Sequence, residues 1–302
     1  MKLTADNYYS VEADREYMSC SQYQDFLKCE AATMARLNGK WNPPSSEAFL
    51  VGNYFHTAME SAEAHAQFCD EHMFDIFKTS VSKKTGDVEI KGKYAPYEQA
   101  DRMIEVCKGD PLINKLIELP GENEVIMTGE LFGVPWKIRL DKYVPLSRLI
   151  IDWKTTADIN KTEYNPVTGE RESFIEVYGY MMRAAVYSEI EKQFASSEID
   201  PDFVIVAASK HKDFPDKGAF RLNHRQRYDF ELQAMEERMA RILAVKNGSF
   251  APKRCGVCDY CRATKVLKKI EPYYVLNPKF REEREEEVDR VETTHLEDAQ
   301  TT

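Results

Sequence analysis

The stretch Thr128–Thr156, TGELFGVPWKIRLDKYVPLSRLIIDWKTT, decides the fold that the sequence predicts. Its apolar residues either alternate with polar ones or run together, and both patterns are typical of strands. Turn signals around Gly133 and Pro145 divide it into three strand-like segments, 125–132, 136–143 and 149–153. We therefore predict three consecutive strands joined by short connections.

Two carboxylates and one amine stand at the ends of these predicted strands. Asp141 lies near the end of the second segment, Asp152 lies near the end of the third, and Lys154 directly follows the third. Because side chains alternate along a strand, Asp152 and Lys154 share one face and Trp153 takes the other. A carboxylate at the end of a buried apolar segment is costly unless it is paired or binds a metal ion. We expect the three charged groups to converge at one end of a small sheet.

Paired carboxylates beside a lysine can support phosphodiester hydrolysis. Mg²⁺ takes oxygen ligands and is commonly held by one or two carboxylates together with phosphate and water. A neighbouring lysine can orient or activate a water, or neutralise charge on the phosphate in the transition state. From these residues alone, a salt-bridged or solvated Asp–Lys pair at a strand end is the alternative interpretation.

Helical patterns flank the predicted strands. A helix with Ser21 as its N-cap is expected to continue to about Leu37, and a second one follows Ser45 or Ser46 and carries His56. Further helices are predicted over 97–107, 173–187 and 227–246, with another buried strand over 201–208.

This arrangement resembles the PD-(D/E)XK nucleases, and in particular their RecB-like and RecE-like phage exonuclease branch. Asp141, ten further residues and then Asp152-Trp153-Lys154-Thr155-Thr156 match the branch's spaced acids and its D-x-K-T. Upstream, Gly52–Glu60 (GNYFHTAME) matches G-x-x-x-H-x-x-x-E, and His56 and Glu60 share a helix face. The resemblance covers roughly residues 20–262.

The downstream helix completes the resemblance with one departure. Gly179, Tyr180 and Tyr187 match the branch's G-Y-x-x-Q-x-x-x-Y, while Arg183 stands where glutamine is expected. An arginine can hold a phosphate with its two-pronged guanidinium, so Arg183 can take over a substrate contact. Tyr180, Arg183 and Tyr187 are therefore candidate site residues, and an aromatic stripe in the core is the alternative for the tyrosines.

The resemblance implies an α/β fold with a restriction-endonuclease-like core, that is, a central mixed sheet flanked by helices. A helical N-terminal region and a C-terminal cysteine cap would complete it. It further implies that Lys154 positions or activates the water and that Glu130, on the first strand, lies within reach of the site if Asp141 does. Mg²⁺ or Mn²⁺ would be bound by His56, Asp141, Asp152 and the main-chain carbonyl of Trp153.

Three of the seven cysteines lie within seven residues, at Cys255, Cys258 and Cys261. Thiols at this spacing can hold a metal, but they need a fourth ligand. Zinc sites more often use two C-x2-C pairs, whereas a close trio plus one remote cysteine suits a 4Fe–4S cluster. Resemblance to cluster-bearing RecB-like nucleases points to Cys29 as the fourth ligand, with Cys20 as the fallback. Iron–sulfur is thus favoured over zinc and over free thiols.

The composition suits a globular enzyme, with 302 residues of which 43% are hydrophobic and 30% charged. No apolar run approaches the ~20 residues of a membrane span, and the polar N-terminus lacks the apolar segment of a secretory signal. We expect no membrane contact and a cytoplasmic location, in a bacterial host cell if the resemblance holds. Despite the net charge of −10, basic residues cluster over 210–227 and 253–269 and can engage DNA phosphates.

We predict a loose lead-in over 1–18, a nuclease domain over 19–278 that includes the cysteine segment 255–261, and an acidic, disordered tail over 279–302. The resemblance implies a Mg²⁺-dependent deoxyribonuclease, an exonuclease rather than an endonuclease, that acts on linear double-stranded DNA in phage or prophage recombination. A single-strand annealing protein would be a partner, and a homo-oligomer an assembly that fits.

Two other functions remain open from the sequence. A CRISPR-associated or repair nuclease of the same fold would act on single-stranded or flapped DNA. A non-catalytic DNA-binding or assembly module predicts a missing acid or lysine, yet Asp141, Asp152 and Lys154 are all in place.

Overall fold

Six helices come before the first strand, and groups of strands and helices follow, in the computed structural model, which describes residues 1–43, 46–82, 87–165, 168–211, 213–267, 269–270 and 272–276. The helices in these ranges are α1 Val11–Glu16, α2 Cys20–Lys28, α3 Glu30–Leu37, α4 Glu47–Glu60, α5 Ala62–Glu71, α6 Met73–Ile76, α7 Ala95–Lys108, α8 Pro111–Glu118, α9 Phe174–Val177, α10 Tyr180–Ala195, α11 Arg225–Lys246 and α12 Asp259–Ala263. The strands are β1 Phe77–Val81, β2 Val88–Lys93, β3 Glu122–Leu131, β4 Val134–Val144, β5 Leu149–Thr156, β6 Glu163–Tyr164, β7 Arg171–Glu172, β8 Asp202–Ser209 and β9 Lys217–Arg221. Single turns of 3-10 helix cover Pro145–Ser147 and Tyr273–Leu276.

The central sheet has five strands in the order β3-β4-β5-β8-β9. β5 runs parallel to β8, and the other neighbours are antiparallel, so the sheet is mixed. β3, β4 and β5 are the three strands that the sequence predicts, and β8 is the predicted strand over 201–208. The strands β1 with β2, and β6 with β7, form two separate hairpins. The predicted α/β core with a central mixed sheet is confirmed.

Helices cover both faces of the sheet. One face, which includes Ile150 and Ile205, packs against α2, α10 and α11, while the other, which includes Ile151 and Val206, packs against α4 and α7. Consecutive residues of β5 thus enter opposite cores, as the alternation along a strand requires. Burial on both sides explains why this strand reads as an almost continuous apolar run.

The helix predicted over 21–37 is two helices, α2 and α3, which meet at Cys29. The side chain of Ser19, rather than that of Ser21, caps α2 by accepting the backbone N–H of Gln22 at 3.2 Å. Cys29 ends α2 and begins α3 with an extended backbone, at φ −165° and ψ 102°. The break brings the Cys29 thiol to Cys261, 232 residues further along the chain.

The helix predicted over 173–187 is also broken, between α9 and α10. Gly179 has φ +67°, in the left-handed region that glycine enters without steric cost. A Cβ at this position would lie 2.7 Å from Nε2 of Gln24, which donates a hydrogen bond to the Tyr178 carbonyl. The prediction of one continuous helix was therefore wrong, because a helix-compatible pattern continues through a glycine that turns the chain.

Residues 1–18 include α1 and contact β4, whereas the sequence predicts a loose lead-in. The buried Lys137 ammonium donates hydrogen bonds to Asp14 Oδ1 at 2.7 Å and to the Tyr8 carbonyl. Met18 pairs with the part of β4 that β5 does not reach, since its N–H donates to Pro135 O and its carbonyl accepts from Lys137 N, both at 2.8 Å. These hydrogen bonds hold the N-terminal segment against β4.

The predicted acidic tail over 279–302 lies outside the described residues, and the predicted domain boundaries stay a prediction. None of the helices in the described ranges combines the length and the apolar composition needed to cross a membrane.

Candidate functional site

The site lies where β4 and β5 separate. Their pairing covers Lys142–Val144 and Leu149–Ile151 and goes no further. Beyond it, the Trp153 N–H donates to Asp141 Oδ2 at 2.8 Å, so a carboxylate takes the place of a backbone carbonyl between the strands. The two strand ends that carry the predicted acids are therefore held together by one of those acids.

Three potential metal ligands converge from α4, β3 and β4. His56 Nε2 lies 3.0 Å from Asp141 Oδ2, and His56 Nδ1 lies 3.5 Å from Glu124 Oε1. One donor atom from each of the three residues lies within 4.8 Å of the other two. Carboxylates suit Mg²⁺ and Mn²⁺, and imidazole adds affinity for transition metals, so this donor set fits a divalent cation.

Glu124 is the acid that sequence analysis missed, and Glu130 is the one it named. The β3–β4 register pairs Asn123 with Lys142 and Val125 with Leu140, which places Glu124 opposite Asp141. Glu124 and Asp141 lie equally far along the chain on either side of the turn at Gly133, so a count of residues outward from the turn would have identified Glu124.

The expectation that Glu130 lies within reach of Asp141 was wrong. Glu130 pairs with Pro135 beside the hairpin turn and is exposed. Six strand residues, about 20 Å, separate it from Glu124. Its own backbone N–H and carbonyl are bonded to the Gln193 side chain, at 2.9 and 3.0 Å.

Asp152 is the most deeply buried acid of the site, with 1% of its surface exposed. Lys154 Nζ lies 2.6 Å from Oδ2 and Arg183 Nη1 lies 3.7 Å from Oδ1, but within the described residues neither oxygen has a hydrogen bond of good geometry. A buried carboxylate without such hydrogen bonds is poorly compensated, and a cation would compensate its charge. Asp152 and Lys154 do share one face, as predicted, and Trp153 packs in the opposite core.

Lys154 bridges the two aspartates. Its ammonium lies 3.4 Å from Asp141 Oδ2 in addition to its contact with Asp152, and it donates to the Trp153 carbonyl at 3.0 Å. That carbonyl, which the resemblance implies as a metal ligand, therefore faces the same space as the two carboxylates.

Burial and charge act in opposite directions on these groups. Burial by itself would raise the pKa of Asp141, but Lys154 and His56 outweigh it and hold this pKa far below its usual range. Burial raises the pKa of Asp152, and the neighbouring Asp141 raises it further. The pKa of Lys154 is raised because the two carboxylates outweigh the effect of burial. Asp152 is thus the less compensated of the two aspartates, and a bound cation would supply the missing positive charge.

Helix α10 supplies the other predicted residues. The Arg183 guanidinium approaches the rings of Tyr180 and Tyr187, at 5.7 and 6.0 Å from their centroids, and Lys154 Nζ lies 5.8 Å from the Tyr180 ring. Tyr187 donates to the Arg139 carbonyl at 3.3 Å, on β4. Tyr180 and Arg183 contact the charged groups directly, whereas Tyr187 lies behind Arg183.

The N-terminal segment, residues 1–18, extends to the edge of the site. Arg139 forms an ion pair with Glu124, and its guanidinium lies 5.3 Å from the centroid of the Tyr9 ring. Tyr9 is 73% exposed although its neighbour Tyr8 is buried. An aromatic ring is therefore exposed to solvent beside Arg139, which lies two residues before Asp141 on β4.

The four predicted cysteines form a second group, away from the carboxylates. Cys29 Sγ lies 3.6 Å from Cys261 Sγ, Cys255 Sγ lies 3.9 Å from Cys261 Sγ, and all four sulfurs lie within 4.8 Å of one another. The backbone N–H groups of Val257 and Cys258 lower the pKa of Cys255 to about 6. The fallback Cys20 is not a member of this group; burial raises its pKa to about 12 beside Arg183.

Residues 19–264 match the protein family described as "PDDEXK-like domain of unknown function (DUF3799)". The chain is also similar to a protein named "Putative exonuclease" from Eubacterium rectale, whose crystal structure aligns with a TM-score of 0.79 and 36% identity. That alignment covers 92% of this chain and 99% of the other. The structure of SSO0001 aligns over 83% of this chain and 96% of the other, at 13% identity and a TM-score of 0.30. No match was found among curated proteins.

Proposed function

The chain belongs to the PDDEXK-like family, and we propose that it is a metal-dependent deoxyribonuclease that degrades linear double-stranded DNA from its ends. The observation that carries the proposal is the convergence of His56, Glu124 and Asp141, which Lys154 links to the buried, under-compensated carboxylate of Asp152. The similarity to a protein named as an exonuclease supports exonuclease over endonuclease action.

Each residue has a role that follows from its position. Mg²⁺ or Mn²⁺ would be held by His56, Glu124, Asp141, Asp152 and the Trp153 carbonyl. When bound, the ion would supply Lewis-acid polarisation of the phosphate and a more acidic water. Lys154 carries a positive charge where the phosphate gains negative charge, and such a preorganised charge lowers the barrier.

Arg183 and Tyr180 act behind this group. Arg183 is ion-paired with Asp152 at 3.7 Å, so it orients that carboxylate from the side of α10. The Tyr180 ring lies against both Lys154 and Arg183 and restricts their side chains. Arg183 and Tyr180 are therefore positioning residues.

We further infer a role in phage or prophage recombination, in which the enzyme resects duplex ends and a single-strand annealing protein binds the strand that remains. This part of the proposal comes from the RecE-like motifs, and so does assembly into a homo-oligomer. Basic residues at 210–227 and 253–269 would contribute to the DNA path.

The proposal is tested by cleavage assays on linear duplex, covalently closed circular duplex and single-stranded DNA, with Mg²⁺, Mn²⁺ or a chelator. We expect the linear duplex to be degraded, the circle to resist, and the chelator to stop the reaction. Asp152→Ala and Lys154→Ala should each lower kcat by about 100-fold or more, as loss of a preorganised charge does. Asp152→Ala should also weaken Mn²⁺ binding, while Lys154→Ala should not.

Asp229→Ala, on the exposed side of α11, is the matched control and should cleave like the wild type. Wild-type rates in folded Asp152 and Lys154 variants would refute the assignment of the site. Equal cleavage of circles and linear duplex would refute the exonuclease, and a preference for single strands would favour the repair-type alternative.

A further inference from the structure

The geometry of the cysteine group disagrees with the iron–sulfur cluster that the resemblance implies. In a 4Fe–4S cluster, each of the four thiolates binds a different iron at the corner of a cube, so the cysteine sulfurs are spread around the outside of the cluster. Around one tetrahedral zinc ion with Zn–S bonds of about 2.3 Å, neighbouring sulfurs lie about 3.8 Å apart. The sulfur–sulfur distances therefore distinguish the two cases.

The observed distances fit ligands around a single ion. Two of the contacts measure 3.6 and 3.9 Å, and no pair among the four exceeds 4.8 Å. A cube of iron and sulfide does not fit between thiols this close, whereas one ion does. The predicted membership of the group is thus supported, and the predicted cluster is not.

We propose that Cys29, Cys255, Cys258 and Cys261 bind one zinc ion in a closed tetrahedral site. Four protein ligands leave no open coordination position, which is typical of structural rather than catalytic zinc. Thiolates prefer zinc to the hard cations that carboxylates bind, so this site and the carboxylate site would select different metals from one solution.

The surroundings hold the ligands in place. The Cys258 N–H donates to Cys255 Sγ at 3.3 Å, and such a bond stabilises the thiolate that a metal needs. Cys29 and Cys261 are 5% and 2% exposed. The break between α2 and α3 fixes Cys29, and next to it the Ala31 N–H donates to the Lys253 carbonyl at 2.9 Å. The segments that carry the remote ligand and the trio are thus also joined by a contact that does not involve sulfur.

The test is the metal content of the wild-type protein, purified without chelator and without oxygen. We expect one zinc per chain, less than 0.1 iron or inorganic sulfide per chain, and a colourless solution. Replacement of zinc by Co²⁺ should produce sulfur-to-cobalt charge-transfer absorption in the near ultraviolet and the intense visible bands of a tetrahedral site.

Variants assign the ligands. Cys29→Ser and Cys261→Ser should each lose most of the zinc, while Cys69→Ser, which alters a partly buried thiol outside the group, should retain it. Asp152→Ala should also retain zinc even if it has no nuclease activity. The zinc proposal is therefore tested independently of the nuclease assignment. A brown protein with stoichiometric iron and sulfide, a mononuclear iron site, or a wild-type protein with no bound metal would each overturn it.

Discussion

Glu124 shows at the scale of single residues how the site is built. Its φ of +56° lies in the left-handed region, which costs a residue with a side chain on the order of 1–3 kcal/mol. The conformation places its carboxylate between His56 Nδ1 and the Arg139 guanidinium. Strained residues persist where the surrounding contacts hold them, and they concentrate at functional sites.

The two glutamates of β3 provide a sharp test at this scale. We expect Glu124→Gln to lower kcat by about 100-fold, because it removes one negative charge from a preorganised set of ligands. Glu130→Gln should change kcat by less than about twofold, since Glu130 is exposed beside the hairpin turn. Steady-state cleavage of linear duplex with Mn²⁺ measures both. Equal losses in the two variants, or a larger loss in Glu130→Gln, would contradict the register-based assignment.

At the scale of elements, α10 is attached to the β4–β5 connection by one buried carboxylate. Glu191 is fully buried and accepts hydrogen bonds from the Tyr143 hydroxyl at 2.6 Å and from Arg148 Nε at 2.9 Å. Arg148 follows the turn Pro145–Ser147 with φ +48°. The network joins the helix that carries Arg183 to the loop between the two strands that carry the aspartates.

Removal of this carboxylate should loosen that attachment. We expect Glu191→Ala to lower the free energy of unfolding by about 3–5 kcal/mol, because it leaves the Arg148 charge and the Tyr143 hydroxyl without their partner. Asp229→Ala is the control, since it breaks the exposed Arg225–Asp229 pair on α11 and should cost less than about 1 kcal/mol. Urea unfolding of the two variants measures the difference, and similar losses would show that the buried network has no special role.

At the scale of the whole molecule, the two ends of the domain are joined around Cys29. Glu30 pairs with Arg241 at 2.7 Å and accepts the Lys253 N–H at 2.7 Å, next to the contact between Cys29 and Cys261. The N-terminal helices and the segment after α11 therefore meet in one place. A metal bound only by the folded protein would stabilise this closure by mass action.

Withdrawal of that metal should destabilise the whole domain. At a free zinc concentration about 100 times its Kd, the expected loss on chelation is about 2.7 kcal/mol, or roughly 5–10 °C in Tm. Thermal unfolding before and after treatment with a zinc chelator measures it. The Cys261→Ser variant should start at the lower Tm and show no further change. If the chelator removes the metal from the wild-type protein and the Tm stays the same as before treatment, a stabilising role is contradicted.

Local sequence patterns alone were sufficient to predict much of the secondary structure of this protein and part of its candidate site. The alternation through 128–156 predicts β3, β4 and β5, and it places Asp152 and Lys154 on one face, because strand geometry is a property of successive residues. Helical spacing likewise predicts α4 with His56, and the close spacing of Cys255, Cys258 and Cys261 predicts a metal-binding trio. These are the features whose cause lies within a few residues of the chain.

Only the tertiary structure decided which distant groups meet. The register of β3 against β4 selects Glu124 and excludes Glu130, and the breaks at Cys29 and Gly179 interrupt patterns that read as continuous helix. The tertiary structure also brings together four sulfurs from residues 29 and 255–261, and this close approach is why we propose one ion although the spacing in sequence suggested a cluster. Distances between strands, helices and remote thiols are set by packing over hundreds of residues, and the periodicity of a short segment carries no information about them.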